Sequence, residues 1–239
     1  MIPGGVLFAA FTNPFLAMTT YYVEKITCGA CGEAFEHQAC GSTNTMGYPD
    51  LDCRPALMQR YTMGTWVQRC PGCGYCAVNA GVFEESMRPV LAGEPYATQL
   101  TDPRLPKLAA SFICSGFLRE AVGDRKAAGL AYLHAAWCLD DANAAELART
   151  WRATAATHFL ALLADNRQFD GEAGAAEAIA IDCLRRAGRA ADALELLGRA
   201  KGRKGEPIFD QIFAFQKKLI ERGDVAGHTV GEAVKSAEA

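Results

Sequence analysis

The feature that most constrains this chain is a pair of short cysteine motifs that lie far apart in the sequence. Cys28-Gly-Ala-Cys31 and Cys70-Pro-Gly-Cys73 are separated by residues 32–69, 38 in all, and each is followed directly by a glycine. Two Cys-x-x-Cys turns supply the four thiolates that a closed tetrahedral zinc site needs. A glycine after such a turn tolerates positive φ. The motifs therefore predict one structural zinc site at Cys28, Cys31, Cys70 and Cys73, joining distant parts of the chain.

The metal and the exact ligand set have alternatives. Cys70-Pro-Gly-Cys73-Gly-Tyr also resembles a rubredoxin turn, and tetrahedral sulfur sites accept iron as well as zinc. Zinc is favoured because the residues around Cys28 lack the aromatic and acidic character associated with rubredoxin. Four more potential ligands lie nearby in sequence: His37, Cys40, Cys53 and Cys76. They could form a second metal site, or one of the cysteines could be a reactive thiol. The ligand set could also shift by one pair, with Cys73 and Cys76 as the second Cys-x-x-Cys motif. The simpler interpretation is half-buried thiols around a single metal.

Composition limits the compartment and the class of partner. The chain has 239 residues, a net charge of −3 and ten cysteines, of which seven precede residue 77. Paired cysteines with scattered single ones indicate a reducing compartment. No Lys or Arg precedes Lys25, and no apolar run is long enough for a signal peptide or a membrane helix. We expect a cytoplasmic protein without membrane contact, in which residues 1–19 are an unstructured extension or translation starts at Met18.

The chain changes character near residue 100. Residues 20–100 predict a zinc-ribbon-like domain, with strands at 21–27, 34–37, 62–69, 77–79 and 81–83 and a loop at 41–55. Residues 101–223 predict a helical domain, with helices at about 105–121, 124–140, 144–165, 173–187, 190–200 and 207–222. Residues 224–239 predict a flexible tail. The fold class expected is α+β, predominantly α.

The helical half contains a weak repeat. Ala193, Leu197 and Ala200 follow Gly188 at offsets of 5, 9 and 12 residues. The same offsets after Gly123 carry Ala128, Tyr132 and Ala135. A turn glycine, small contact residues and a large apolar residue are typical of tetratricopeptide repeats. The alternative is an ordinary antiparallel helical bundle.

No catalytic motif stands out. His134 and His158 fall within helices and are interpreted as packed or surface residues. There is no phosphate-binding glycine loop and no His-Glu-x-x-His motif. Residues 1–100 carry five Lys or Arg against eight Asp or Glu, which disfavours nucleic acid as the partner of the ribbon. One basic stretch allows RNA or phosphate contact but is more simply a solvated helix end: Arg185, Arg186, Arg189, Arg199, Lys201, Arg203 and Lys204.

Several of these motifs together resemble one bacterial family. The pattern consists of Thr27-Cys28-x-x-Cys31-Gly32 with Phe35, Asp50-x-Asp52-Cys53, Val67-x-x-Cys70-Pro71-x-Cys73-Gly74-Tyr75 and Ala136-Trp137. It is similar to a family catalogued only as domain of unknown function twenty-two twenty-five, over roughly residues 20–220. That family has an aromatic residue between the second Asp and the Cys, which this chain lacks, and its pattern does not include Cys40 or Cys76. The resemblance implies a place for Cys53 near the metal site. The family has no established activity, so the resemblance implies none for this chain.

These observations favour a non-catalytic adaptor or scaffold protein. Stacked helix pairs leave a groove that binds a protein or peptide partner. One alternative is a redox- or metal-sensing protein that uses the extra cysteines. Another is an RNA-associated protein that uses residues 185–204.

Overall fold

The structure is a computed structural model that describes residues 19–165, 174–200 and 207–238. Small antiparallel sheets come first and a predominantly helical part follows, as the sequence predicts. The tetratricopeptide-like type of the helices stays a prediction. Nearly all of the expected N-terminal extension, residues 1–18, lies outside the described residues.

Three two-stranded sheets form the N-terminal part, pairing β1 with β2, β3 with β4, and β5 with β6. The strands are β1 (Thr20–Thr27), β2 (Ala34–Ser42), β3 (Thr45–Met46), β4 (Leu57–Met58), β5 (Gln68–Arg69) and β6 (Cys76–Ala77). One cysteine turn joins β1 to β2 and the other joins β5 to β6. Two hairpins therefore carry the two cysteine motifs at their tips.

The predicted strand at 62–69 is wrong over most of its length. Residues Gln59–Thr65 form a 3-10 helix, and only Gln68–Arg69 is extended. The hydroxyl of Thr62 donates to the carbonyl of Gln59, and that of Thr65 donates to the carbonyl of Thr62, both at 2.8 Å. Threonine hydroxyls that bond backward along the backbone stabilise a tight turn against a strand. The predicted strand at 81–83 is likewise not extended in a sheet.

Nine helices lie within the described residues. They are α1 (Arg88–Leu91), α2 (Glu94–Thr101), α3 (Lys107–Ala121), α4 (Arg125–Asp141), α5 (Ala145–Ala164), α6 (Ala175–Arg186), α7 (Ala190–Ala200), α8 (Pro207–Glu221) and α9 (Val230–Glu238). Helices α3–α8 match the six predicted helices to within two residues at each end. Helices α1, α2 and α9 were not predicted.

Short left-handed turns connect the long helices into an array. The second residue after the helix has positive φ at Gly123, Asn143, Gly188 and Gly223, and the N–H of the residue that follows it bonds back to the last helical turn. This arrangement satisfies helix-end carbonyls while reversing the chain.

Small residues on the helices allow neighbouring helices to pack closely. A Cβ at Gly116 would lie 2.4 Å from the Tyr132 ring.

The C-terminal segment differs from the flexible tail that was expected. Residues Val230–Glu238 form α9, and Ala233 is completely buried. The N–H of Leu51 donates to the carbonyl of His228, and the N–H of Val230 donates to the carbonyl of Pro49, each at 2.9 Å. The segment is therefore ordered by contact with the loop near residue 50, which its own sequence does not reveal.

One continuous apolar core runs through both parts of the molecule. It extends from Cys28 and Cys70 in the cysteine turns, through Tyr96 on α2, to Ala233 on α9. Within the described ranges, none of the helices has both the length and the apolar character that crossing a lipid bilayer requires.

Candidate metal centre

The two cysteine turns meet and place four sulfur atoms together. The Sγ atoms of Cys28, Cys31, Cys70 and Cys73 all lie within 4.8 Å of one another. The Cys28–Cys73 and Cys31–Cys70 Sγ pairs are 3.8 and 3.6 Å apart. A tetrahedral ion with metal–sulfur bonds of about 2.3 Å requires sulfur atoms about 3.8 Å apart. The cluster therefore has the dimensions of a site that could hold one four-coordinate metal ion.

Both turns use the same backbone hydrogen bonds. The N–H of the first cysteine donates to the carbonyl five residues later, at 2.8 Å in the first turn and 2.9 Å in the second. The glycine that ends each motif, Gly32 or Gly74, donates its N–H to the carbonyl of the first cysteine, Cys28 or Cys70. Gly32 and Gly74 have φ of 80° and 76°. These left-handed conformations explain why each motif ends in glycine.

The surroundings shift the pKa values of the cysteine thiols in opposite directions. A hydrogen bond from the Glu33 backbone lowers the pKa of Cys31. Burial raises the pKa of Cys28 and Cys73, so these two thiols keep their protons at neutral pH unless a bound cation displaces them. The Arg88 guanidinium lies 4.8 Å above the Phe83 ring and donates to the carbonyl of Ala30 in the first turn at 3.5 Å.

The structure does not assemble the four extra candidate ligands into a second site. Among the described residues, the four-cysteine cluster is the one group of three or more side chains placed to share an ion. His37 and Cys40 lie on β2, where His37 Nε2 is 3.4 Å from the carbonyl oxygen of Thr65. Cys76 is buried and its thiol donates to the carbonyl of Gly74.

Cys53 is not a member of the four-cysteine cluster, and the place near the metal site that the family resemblance implies stays a prediction. Its backbone has φ of 63°, and its N–H donates to the carbonyl of Asp50. Although the residue is exposed, desolvation together with the Asp52 and Asp182 carboxylates raises the pKa of its thiol to about 11. The Cys53 thiol is therefore protonated at neutral pH, which argues against Cys53 itself as a reactive thiol.

The Asp50-x-Asp52 segment instead supplies a buried carboxylate to the helical array. Asp52 is completely buried, and its Oδ2 accepts hydrogen bonds from Trp137 Nε1 at 2.8 Å and Arg186 Nη1 at 3.1 Å. Arg152 Nη2 lies 3.8 Å from the same oxygen. Asp140 pairs with both arginines. Sequence reasoning named Asp52 and Trp137 only through the family pattern and Arg186 only as part of the basic stretch, and it did not predict that they meet.

Much of the predicted basic stretch is neutralised by carboxylates. Arg185 pairs with Asp182 inside the protein, and Arg186 belongs to the Asp52 network. Arg189 pairs with Asp192, and Arg199 pairs with Glu195. The other members, Lys201, Arg203 and Lys204, lie outside the described residues. The described part of this stretch thus offers little free positive charge to RNA.

The two helical histidines occupy different settings. His158 Nε2 lies 2.7 Å from Glu120 Oε1. His134 lies among the rings of Trp66, Phe112 and Trp137.

Comparisons with protein-family models, with curated proteins and with solved structures found no match. The family resemblance therefore stays a prediction, and a functional conclusion has to rest on the geometry.

Proposed function

We propose that this protein is a non-catalytic interaction protein whose N-terminal part is held by one structural zinc ion at Cys28, Cys31, Cys70 and Cys73. The observation that carries the proposal is the spacing of the four sulfur atoms. Four thiolates saturate a tetrahedral ion and leave no position at which water could be activated. Zinc at such a site stabilises structure, and iron remains the alternative metal.

The metal-binding turns are built into the helical part. The hydroxyl of Tyr96 on α2 donates to the carbonyl of Gly74 at 2.8 Å and accepts from the N–H of Cys76 at 3.1 Å. Strand β6 also packs against α3. These contacts support a role in which the zinc unit covers the beginning of the array.

The helical array offers a groove for a partner. A cavity of about 530 Å³ lies between α5, α6 and α7, with Leu160, Leu163 and Leu196 among its apolar lining. Arg189, Asp192, Glu195 and Arg199 add charges of both signs. An apolar floor with charged residues around it suits a protein or peptide segment that inserts an apolar side chain. The tetratricopeptide-like interpretation of the array belongs to this proposal.

All ten cysteines are free thiols, which supports placing the protein in the reducing cytoplasm of a bacterium.

The proposal is tested by affinity purification from the native organism, with metal analysis of the same sample. We expect one zinc per chain, no visible absorption from iron–thiolate bonds, and a reproducible protein partner. One iron per chain with a red colour would overturn the choice of metal while leaving the interaction role intact.

Matched variants locate the partner. Leu163→Glu places a charge in the groove and should remove the partner from the purified sample. Leu194→Glu changes an exposed leucine of α7 outside the groove and should retain it. Equal recovery of the partner with both variants would contradict binding in this groove.

A further inference from the structure

A second cavity lies between the metal-binding part and the first two long helices. Its volume is about 400 Å³, within the range of about 300–1,000 Å³ typical of small-molecule sites. Its apolar walls come from both parts of the molecule: Trp66, Val67, Val78, Phe112, Ala127, Leu130 and Ala131. The cavity exists because the ribbon and the array pack together without filling the space between them.

Three polar side chains line this cavity without a hydrogen-bond partner in the described part of the chain: Ser115, Arg119 and His134. Ser115 is 4% exposed. Arg119 is half-buried and makes no ion pair with any described carboxylate. Because these side chains have no partner within the described part of the chain, a ligand could bond to them without breaking an internal hydrogen bond.

The charge of the lining is a single positive one. Burial lowers the pKa of His134 to about 4, against a small opposing effect of the Asp52 carboxylate. The imidazole is therefore neutral at pH 7 and offers one hydrogen-bond donor and one acceptor. Arg119 is the sole charged residue of the lining. The cavity consequently favours a ligand with one negative charge.

We propose that this cavity binds a small organic acid, a molecule with one carboxylate and a compact apolar body. The carboxylate pairs with the Arg119 guanidinium and accepts a hydrogen bond from the Ser115 hydroxyl. The apolar body packs against the apolar walls, which include Trp66, Phe112 and Leu130. A guanidinium is suited to this task because its planar N–H groups match both oxygens of a carboxylate.

The proposal does not depend on the partner groove between α5 and α7. The two cavities share no lining residue. If the interaction proposal fails, the proposal for this cavity is unaffected. If this cavity binds no acid, the interaction proposal is likewise unaffected.

The test is isothermal titration calorimetry on the full-length, zinc-loaded protein. The probes are 4-phenylbutyrate, octanoate and indole-3-propionate, each compared with its own neutral amide. We expect at least one acid to bind with one molecule per chain, and its amide to bind about tenfold more weakly or worse, since the amide lacks the charge-assisted bond. Equal affinity of acid and amide, or no binding of any acid at about 1 mM, would overturn the proposal.

Variants then assign the binding to this cavity. Arg119→Gln should weaken the acid about tenfold and leave the amide unchanged. Arg125→Gln is the matched control, because Arg125 is an exposed arginine on α4 outside the lining. Leu130→Trp should fill the cavity and abolish binding of both probes. Circular dichroism and thermal unfolding establish that each variant is folded. Undiminished acid binding in folded Arg119→Gln would place the acid elsewhere.

Discussion

A single buried carboxylate, that of Asp52, joins three helices of the array. It contacts Trp137 on α4, Arg152 on α5 and Arg186 on α6. Asp140 is the second acceptor of the two arginines, and although burial opposes the effect, their guanidinium groups hold the pKa of Asp140 below its usual range. Removing any one of these charged side chains would leave a buried charge without its partner, which destabilises the fold.

We expect Asp52→Asn to lower the free energy of unfolding by about 3–5 kcal/mol, because it leaves two buried arginines to share one carboxylate. Urea unfolding monitored by circular dichroism gives the value. Asp192→Asn is the matched control, since it breaks an ion pair whose side chains are 44% and 40% exposed and should cost at most about 1 kcal/mol. Similar losses for both variants would show that Asp52 has no special role.

Among individual residues, the sequence predicted those that are recognised from their near neighbours in the chain. The four cysteines were identified because metal ligands come in short motifs whose spacing is visible in the chain. The partners of Asp52 were not, because Trp137 is 85 residues away and Arg186 is 134 residues away. Nothing in the neighbourhood of either residue marks it as a partner.

The first cysteine turn lies very close to the segment that follows β6. Gly29, inside the first cysteine turn, donates its N–H to the carbonyl of Ala80 at 2.9 Å. A Cβ at this position would lie 2.9 Å from both the Gly81 carbonyl oxygen and the Phe83 nitrogen. Both are backbone atoms of the segment that follows β6, so this segment would have to shift to make room.

We expect Gly29→Ala to separate the hairpins and weaken metal binding by about tenfold or more, which is about 1.4 kcal/mol. Competition with a chromogenic zinc chelator measures the affinity. Gly64→Ala is the control, because a Cβ at Gly64 meets no atom within 4 Å. Unchanged zinc affinity in Gly29→Ala would mean that the hairpins tolerate separation.

Helices were predicted better than strands for a physical reason. Helix ends are set by local residues, such as Asp124, whose side chain accepts from the N–H of Ala127, and Gly188 with its left-handed backbone. Strands need a partner elsewhere. Thr62 and Thr65 have the β-branched side chains common in strands, yet their hydroxyls bond to their own backbone and form a 3-10 turn.

The C-terminal segment of the chain packs against the loop near residue 50. The loop around Asp50 pairs with Thr229, and Tyr48 packs against Gly231 of α9. The guanidinium of Arg185 donates to the backbone carbonyls of Asp224 and Ala226 at 2.6 and 2.8 Å. The C-terminal segment therefore completes the environment of a buried arginine.

We expect a chain that ends at Gly223 to be less stable by about 3 kcal/mol or more, because Arg185 loses two charge-assisted hydrogen bonds and the N–H of Leu51 loses its acceptor, the carbonyl of His228. Urea unfolding and limited proteolysis measure the change. Removal of the last two residues alone is the control and should change stability by less than about 0.5 kcal/mol. An undiminished stability on ending at Gly223 would restore the expectation of a flexible tail.

The sequence by itself determined the order of β and α parts, the six long helices and the four cysteines that could hold a metal. Each of these depends on residues close together in the chain: a ligand motif, an apolar period or a helix cap. The tertiary structure alone decided the location of Asp52 among the arginines, the ordering of α9 and the cavity at Arg119. These depend on contacts between residues far apart in sequence, whose partners only the folded chain reveals.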